Sequence, residues 1–209
     1  LSVAYRGQDE FELDINGFGG DDFGPLDKRE AVFRDYWYFV KGSSEFEIGS
    51  ASLANASLGR YSEGNSLCFF AAGSESASWI PGDGVSFFGH ADGTSSIGGT
   101  TTRLNPDSRA RGTLDFDRGQ IELVLSLAGT ALPLQNSGPG VPIGTVNGQL
   151  AVSATGHISG VLTGPGESRG TAMGTLFQYG YGLGLVFELV YPNGDRIYGA
   201  AAADLNRPM

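Results

Sequence analysis

The sequence predicts an all-β protein: an eight-stranded antiparallel up-and-down barrel preceded by a small β-rich, handle-like lobe. Short segments that alternate apolar and polar residues follow one another from residue 84 to residue 204, and each ends at a turn signal. Glycine is frequent (34 of 209 residues) while only 17% of residues are charged, a composition typical of turn-rich β proteins. We place the lobe at residues 1–80 and the barrel at residues 81–209.

The segment Ser108–Gly129 shows the alternation most clearly. Before an Arg118-Gly119 turn, Leu114 and Phe116 alternate with polar residues. After the turn the apolar residues fall at every second position, at Ile121, Leu123, Leu125 and Leu127. A period of two on both sides of a glycine turn predicts a hairpin with one buried face and one more solvent-exposed face.

The other barrel strands are predicted from the same pattern, and closing them into a barrel removes the exposed sheet edges. Asn193-Gly194 predicts a two-residue hairpin turn, while Gly164–Gly170 and Leu132–Pro142 predict longer connections. An eight-stranded barrel has an interior that side chains fill or that holds one small ligand. The predicted strands lie near 84–91, 108–117, 119–128, 143–153, 156–164, 170–178, 182–191 and 195–204.

The first 80 residues are less regular and combine loops with short strand candidates. The Gly- and Asp-rich segment Phe11–Lys28 predicts a loop, and Asp27 is placed to cap a short helix. Aromatic and β-branched residues predict a strand over Tyr36–Val40. Further strands are predicted over 44–53 and 66–73, with a Ser- and Gly-rich connector over 73–84.

Charge and cysteine content exclude several classes of protein. The net charge of −10 repels phosphate backbones, so we expect no nucleic-acid partner. No apolar run approaches the roughly 18 residues of a membrane helix. Cys68 is the single cysteine, so no intrachain disulfide forms, and its apolar surroundings predict a buried, inert thiol. The start, LSVAYRGQDEF, has no signal-peptide pattern, so we expect that a signal was removed or never present.

A membrane-spanning barrel would show the same alternation along its strands. In this sequence the faces opposite the apolar ones carry acidic side chains, which are costly against lipid. They are Asp115, Asp117, Glu122 and Glu188. We therefore expect a barrel that does not span the membrane.

Five segments of the predicted barrel follow in order: SFFGHADGTSSIGG, ARGTLDFDRGQIELVLSLAG, VNGQLAVSATGHISGVLTG, GTAMGTLFQYGYGLGLVFELVY and RIYGAAAADL. This order resembles the C-terminal β-barrel domain of transferrin-binding protein B and its surface-lipoprotein and hemophilin-like relatives. Gly174, Phe177 and Phe187 stand at positions similar to the closing strand pair of that family. The turn Tyr179–Gly182 departs from the family's Gly-Pro-acidic turn.

The resemblance implies a non-enzymatic binding protein of a Gram-negative bacterium, either secreted or lipid-anchored at the cell surface of the outer membrane. Such a protein would recognise a protein partner through its N-terminal lobe and barrel loops, and an outer-membrane receptor is one partner that the resemblance implies. A second hypothesis is a small-ligand carrier of heme or lipid. A third is a structural or adhesive surface subunit that assembles with other chains. The oligomeric state does not follow from the sequence.

His90 is the first candidate ligand-binding residue. A histidine beside aromatic side chains can ligate heme iron, and Phe87 and Phe88 precede it along the strand. His157 is a weaker candidate for the same role. The alternative is a histidine at a strand end that is solvated or bonded to a carbonyl. Two histidines alone do not build a three-ligand zinc site.

Four side chains in the Gly-rich part of the lobe carry oxygen ligands of the kind that calcium prefers. They are Asp14, Asn16, Asp21 and Asp22. Their spacing does not match the EF-hand pattern, so a solvated loop is the alternative.

Aromatic residues of the lobe are the candidate partner-binding site, because Trp and Tyr are enriched at interface hot spots. The candidates are Tyr36, Trp37, Tyr38 and Trp79. The alternative is that Trp37 and Phe39 fill the core of the lobe.

Catalytic motifs are not found in the sequence. No G-x-S-x-G elbow occurs. Asp115 and Asp117 share one predicted strand face, an arrangement in which two acids could act together as in a glycosidase, but their place beside a turn is typical of a solvated hairpin face. We therefore expect a protein without enzymatic activity.

Overall fold

The structure is a computed structural model, and it describes most of the barrel and the strand backbones of the lobe. Backbone is described for residues 2–7, 10–14, 20–23, 27–31, 34–41, 44–49, 56–63, 66–73, 85–105, 107–130, 141–177 and 180–205. Side chains are described for residues 56–60, 67–73, 85–105, 107–130, 142–177 and 180–205.

The C-terminal part of the chain forms a closed antiparallel barrel of eight strands, which confirms the predicted fold class. Each strand pairs with the next along the chain, and the first pairs with the last, from Arg196 opposite Ser96 to Leu205 opposite Phe87. The strands are β9 (Val85–Ile97), β11 (Arg109–Asp115), β12 (Gln120–Gly129), β13 (Val141–Val152), β14 (His157–Thr163), β15 (Arg169–Phe177), β16 (Gly182–Val190) and β17 (Arg196–Leu205). A short strand, β10 (Thr100–Arg103), extends the sheet beyond β9, and a 3-10 turn (Pro165–Glu167) joins β14 to β15.

The alternating residues turn their apolar side chains into the barrel, as the period of two predicts. The four alternating residues of β12 are each at most 3% exposed: Ile121, Leu123, Leu125 and Leu127. Leucine, isoleucine, phenylalanine and alanine from the other strands complete one continuous core. The core therefore lies inside the barrel and consists of side chains from every barrel strand.

Strand β17 is buried on both faces, which explains its run of alanines. Ala201 and Ala203 point into the barrel core, while Ala200 and Ala202 lie on the outside beneath part of the lobe. A Cβ on Gly89 would lie 2.0 Å from the carbonyl oxygen of Ala202. Small residues are thus required where β9 and β17 approach each other and where the lobe packs on the wall.

The N-terminal lobe contains two antiparallel sheets, one of three strands and one of five. The first sheet has β1 (Ser2–Gly7), β2 (Glu10–Asp14) and β3 (Gly20–Phe23). The second has β4 (Asp27–Ala31), β5 (Arg34–Lys41), β6 (Ser44–Gly49), β7 (Ser57–Glu63) and β8 (Ser66–Ala72). Strands β7 and β8 contact β17 on the outer wall of the barrel.

Two expectations for the lobe are wrong. Asp27 begins a strand rather than capping a helix, because Asp27–Ala31 pairs with β5 and sheet pairing outweighs the local helix signal. The predicted loop over Phe11–Lys28 contains β2 and β3, which pair despite their acidic residues. The domain boundary at residue 80 falls within residues 74–84, outside the described residues, and stays a prediction.

Three expectations at or near the barrel also need correction. Strand β9 continues to Ile97, past the predicted end at residue 91, because β10 and β17 pair with its polar second half. The Asn193-Gly194 turn has three residues rather than two, since the Tyr191 N–H donates to the Asp195 carbonyl. Cys68 is exposed rather than buried. The described part of the chain contains no helix with the length and apolar character needed to cross a bilayer.

We expect Leu125→Ala to lower the free energy of unfolding by about 2–5 kcal/mol, because its side chain is 0% exposed and its loss leaves a cavity. Val161→Ala is the matched control, since Val161 is 66% exposed on the outer wall, and its cost should stay within about 0.5 kcal/mol. Urea denaturation measures both, and equal costs would contradict the assignment of the two faces.

Candidate functional site

The three residues predicted to bind a small ligand do not lie together. Phe87 points into the barrel, is 2% exposed and belongs to the core. Phe88 lies on the outer wall and is 41% exposed. His90 lies two residues further along β9, on the same outer face and half-buried. The strand therefore brings Phe88 and His90 together and separates them from Phe87.

His90 forms a hydrogen bond with an arginine on β11. Arg109 lies directly opposite His90, and its Nη1 is 3.2 Å from His90 Nδ1. An arginine side chain can only donate hydrogen bonds, so Nδ1 accepts and the neutral imidazole carries its proton on Nε2. Arg109 also donates to the Ser108 carbonyl at 3.3 Å and lies 3.8 Å from Asp107. These contacts hold the guanidinium against the wall.

Phe88 forms a second pair on the same face, with Arg111. The two residues are opposite each other in the β9–β11 register, and the Arg111 Cζ lies 5.2 Å from the centre of the Phe88 ring. This is a cation–π contact, in which the positive charge faces the negative face of the ring. We call the group formed by Phe88, His90, Arg109 and Arg111 the arginine–phenylalanine patch.

The sequence contained a signal for this patch that the prediction did not use. With Leu114 facing inward, a period of two places Arg109, Arg111 and Thr113 on the outer face of β11. The strand partners of these arginines follow only from the register of β9 against β11, which the sequence does not specify. The opposite placements of Phe87 and Phe88 also follow from the period of two.

A buried ion pair stabilises the outer wall near the β9–β10 hairpin. Asp92 is 5% exposed, and its carboxylate accepts from Arg103 Nη2 at 2.6 Å and from Arg103 Nε at 3.2 Å. The Gly93 N–H donates to the same carboxylate at 2.8 Å. These bonds compensate for the desolvation of Asp92, while the Arg103 side chain remains 34% exposed.

An open cleft of about 640 Å³ lies at one end of the barrel, between the β14–β15 and β16–β17 connections. Burial raises the pKa of the Tyr191 hydroxyl above its ordinary value, the nearby Ser168 hydroxyl lowers it, and the charge of Asp195 raises it. Ser168 Oγ is buried, and no hydrogen bond of good geometry reaches it within the described part of the chain. The cleft is lined by Thr163, Gly164, Glu167, Ser168, Arg169, Val190, Tyr191 and Pro192.

The calcium candidates lie in or near the first sheet of the lobe. Asp14 ends β2 opposite Gly20, and Asp21 and Asp22 lie in β3 opposite Leu13 and Glu12. Their side chains, and Asn16 entirely, are outside the described residues, so this site stays a prediction. Where side chains are described, no group of three or more His, Cys, Asp or Glu residues is arranged to hold a metal ion.

The aromatic candidates for partner binding lie in β5 of the second sheet. Tyr36, Trp37 and Tyr38 are opposite Gly49, Ile48 and Glu47 of β6. Their side chains, together with Trp79, fall outside the part of the chain whose side chains are described. Their role in binding stays a prediction.

No family model and no curated protein matches the chain. Solved structures do match it. The structure of isotype 1 transferrin-binding protein B from serogroup B Neisseria meningitidis is 15% identical with a TM-score of 0.66, over 94% of this chain and 39% of that one. The structure of a mutant transferrin-binding protein B from Haemophilus parasuis Hp5 is 15% identical with a TM-score of 0.63, over 95% of this chain and 40% of that one.

The chain has the barrel fold of transferrin-binding protein B. The resemblance noted in the barrel sequence is therefore confirmed at the level of fold. The chain spans about two-fifths of the length of either transferrin-binding protein B structure.

We expect Asp92→Asn to lower the free energy of unfolding by about 1.5–3 kcal/mol, because it weakens charge-assisted hydrogen bonds to a buried carboxylate. Asp115→Asn is the matched control. Asp115 pairs with Arg118 at 3.5 Å on an exposed hairpin, where such pairs contribute about 0–1 kcal/mol. Chemical denaturation measures both variants, and an equal loss in the two would contradict the importance of burial at Asp92.

We expect Tyr191→Phe to reduce the loss of stability at high pH. The folded-state pKa of Tyr191 is raised above its unfolded value. Its contribution to the stability of the fold is therefore fully present below about pH 10 and is lost as the pH rises through the folded-state pKa. As the pH is raised above about pH 10, the unfolding midpoint should therefore fall more steeply for the original chain than for Tyr191→Phe. Parallel slopes in the two proteins would contradict the raised pKa.

Proposed function

We propose that the chain is a non-enzymatic binding protein of the Gram-negative cell envelope, at the cell surface or secreted, that recognises a protein partner. Recognition uses the N-terminal lobe and the loops of the barrel. The observation that carries this proposal is the filled interior of the barrel, which leaves the outer wall, the rims and the lobe as contact surfaces.

The packed interior favours a partner that binds outside the barrel. Leu125, Leu150 and Leu189 are each 0% exposed within one core that extends around the barrel. A ligand inside the barrel would have to displace such side chains at a cost comparable to large-to-small core substitutions. A protein partner needs no such opening, because loops on a rigid scaffold supply its contacts.

The lobe is fixed to the barrel through a second apolar cluster, which supports its role in recognition. Leu58 and Phe69 of the lobe lie in one apolar cluster with Ala200 and Ala202 of β17. The two lobe residues are 0% and 8% exposed. The Phe69 ring also meets the Tyr198 ring edge to face, with centres 5.8 Å apart. A lobe held in one orientation loses less conformational entropy when it binds a partner.

The fold shared with transferrin-binding protein B supports a protein as the partner, since the names of those proteins state that they bind transferrin. For this chain the partner class is a protein exposed at a cell surface, with an outer-membrane receptor included among the candidates. A lipid-anchored or secreted location is part of the same proposal.

Affinity capture tests this function. The immobilised chain is exposed separately to a bacterial outer-membrane extract and to serum, and a captured protein is purified and titrated back. We expect saturable binding that Trp37→Ala weakens at least about tenfold, as for an interface hot spot. Met173→Ala is the control, because Met173 is 60% exposed on the barrel wall, and it should leave binding unchanged. Absence of saturable capture from both sources would overturn the proposal.

Heme, lipid and calcium binding and assembly with other chains stay predictions. Heme ligation through His90 Nε2 requires the ring proton to move to Nδ1, which breaks the hydrogen bond that Nδ1 accepts from Arg109. If His90 ligates heme, a heme titration gives a saturable Soret shift that His90→Ala abolishes and His157→Ala retains. A shift that survives His90→Ala, or no shift, contradicts this role.

A further inference from the structure

We propose that the arginine–phenylalanine patch on the outer wall docks an extended acidic segment of a protein partner. The segment would place carboxylates on the arginines and an apolar side chain on Phe88. This inference rests on the proposed function, and it adds the chemistry of the partner and a contact surface on the barrel wall.

Phe88 and Arg111 form a preorganised contact for a carboxylate. The guanidinium lies 5.2 Å from the ring centre, so the ring holds it while its edge donors remain available to a ligand. Arg111 has no carboxylate within ion-pair distance among the residues that the structure describes. An exposed aromatic beneath a cation also supplies apolar contact area, and arginine with aromatic residues is enriched at interface hot spots.

The second arginine sets a spacing that an extended peptide matches. Arg109 and Arg111 lie on the same face of β11, two residues apart, which separates them by about 7 Å along the strand. Acidic residues at alternate positions of an extended segment have the same separation. Arg109 stays against the wall through His90 and the Ser108 carbonyl, so its charge is fixed beside Arg111. Its carboxylate neighbour, Asp107, is 62% exposed and lies 3.8 Å away, so an incoming carboxylate can compete with it.

Charge complementarity indicates an acidic rather than a basic segment. The whole chain carries a net charge of −10. Arg109 of the patch lies 3.8 Å from Asp107, and three further arginines of the described barrel also lie within 4 Å of a carboxylate. Those arginines are Arg103, Arg118 and Arg196. Arg111 has no carboxylate within ion-pair distance among the described residues, so it is the uncompensated positive charge of the patch on an acidic protein. Long polyanions such as nucleic acid would also meet the surrounding negative charge, which favours a short acidic segment.

The neighbours of the patch define its edges. Asp204 of β17 is opposite Phe88, and Val124 and Ser126 of β12 are opposite Arg111 and Arg109. On the β17 side, His90 is opposite Ala202, which lies beneath the lobe. A partner bound to the patch would therefore be adjacent to the lobe.

Fluorescence anisotropy with the full chain tests this surface. The probe is a labelled short peptide of alternating glutamate and threonine, with a lysine-for-glutamate peptide and an oligonucleotide of equal charge as comparisons. We expect saturable binding of the glutamate peptide that weakens as salt is raised. Arg111→Gln and Phe88→Ser should each weaken it about tenfold, the effect of losing one charge-assisted or hot-spot contact.

Arg169→Gln is the matched control, because Arg169 is also exposed and has no carboxylate within ion-pair distance among the described residues, but lies on β15. It should change binding less than about twofold. Circular dichroism melts establish that each variant folds.

The proposal is overturned if the glutamate peptide fails to bind, if Arg169→Gln weakens it as much as Arg111→Gln, or if the oligonucleotide binds the patch equally well. It is also overturned if sedimentation shows self-association that Arg111→Gln abolishes, because the patch would then bind a second copy. Capture of a partner that Trp37→Ala weakens but Arg111→Gln does not would support the proposed function and reject this surface.

Discussion

The pairing of β9 with β17 closes the barrel, and the rest of the structure depends on it. This pairing removes both sheet edges and completes the apolar interior. It also forms the part of the wall on which the lobe packs, so β17 is buried on both faces. Ala200 and Ala201 illustrate the constraint: one faces the lobe, the other faces the core, and both are at most 1% exposed.

Because the barrel is closed and its interior is filled, the surfaces that remain for contact with a partner lie on its outside. The barrel interior is packed with apolar side chains, which makes the wall rigid. The rigid wall fixes the relative positions of outward-facing residues on neighbouring strands. The contact of Arg111 with Phe88 and that of Arg109 with His90 are products of this rigidity, because each joins residues that the register places directly opposite each other. The arrangement agrees with a scaffold that presents contacts to a partner rather than with one that encloses a reacting molecule.

Much of the barrel was predictable because one period describes it. The apolar residues of β12 fall at every second position, at Ile121, Leu123, Leu125 and Leu127, which predicts that these side chains enter the core, and all four do. The pattern failed where two partners bury one strand. In the second half of β9, Asp92 and Gly93 are buried where β17 pairs with them, and the Arg103 side chain of β10 covers the Asp92 carboxylate. The local helix signal at Asp27 failed for a different reason, since β4 is an edge strand and its pairing with β5 determines the backbone there.

The sequence alone determined the fold class, the approximate positions of most barrel strands and, where apolar residues fall at every second position as in β12, which side chains face the core. It did so because a strand alternates its side chains whatever lies beside it. Only the tertiary structure decided which outward residues meet. Arg111 reaches Phe88, and Asp92 reaches Arg103, through the register between strands and the closure of the sheet. Those contacts join positions separated along the chain, and no periodicity within a single segment encodes them.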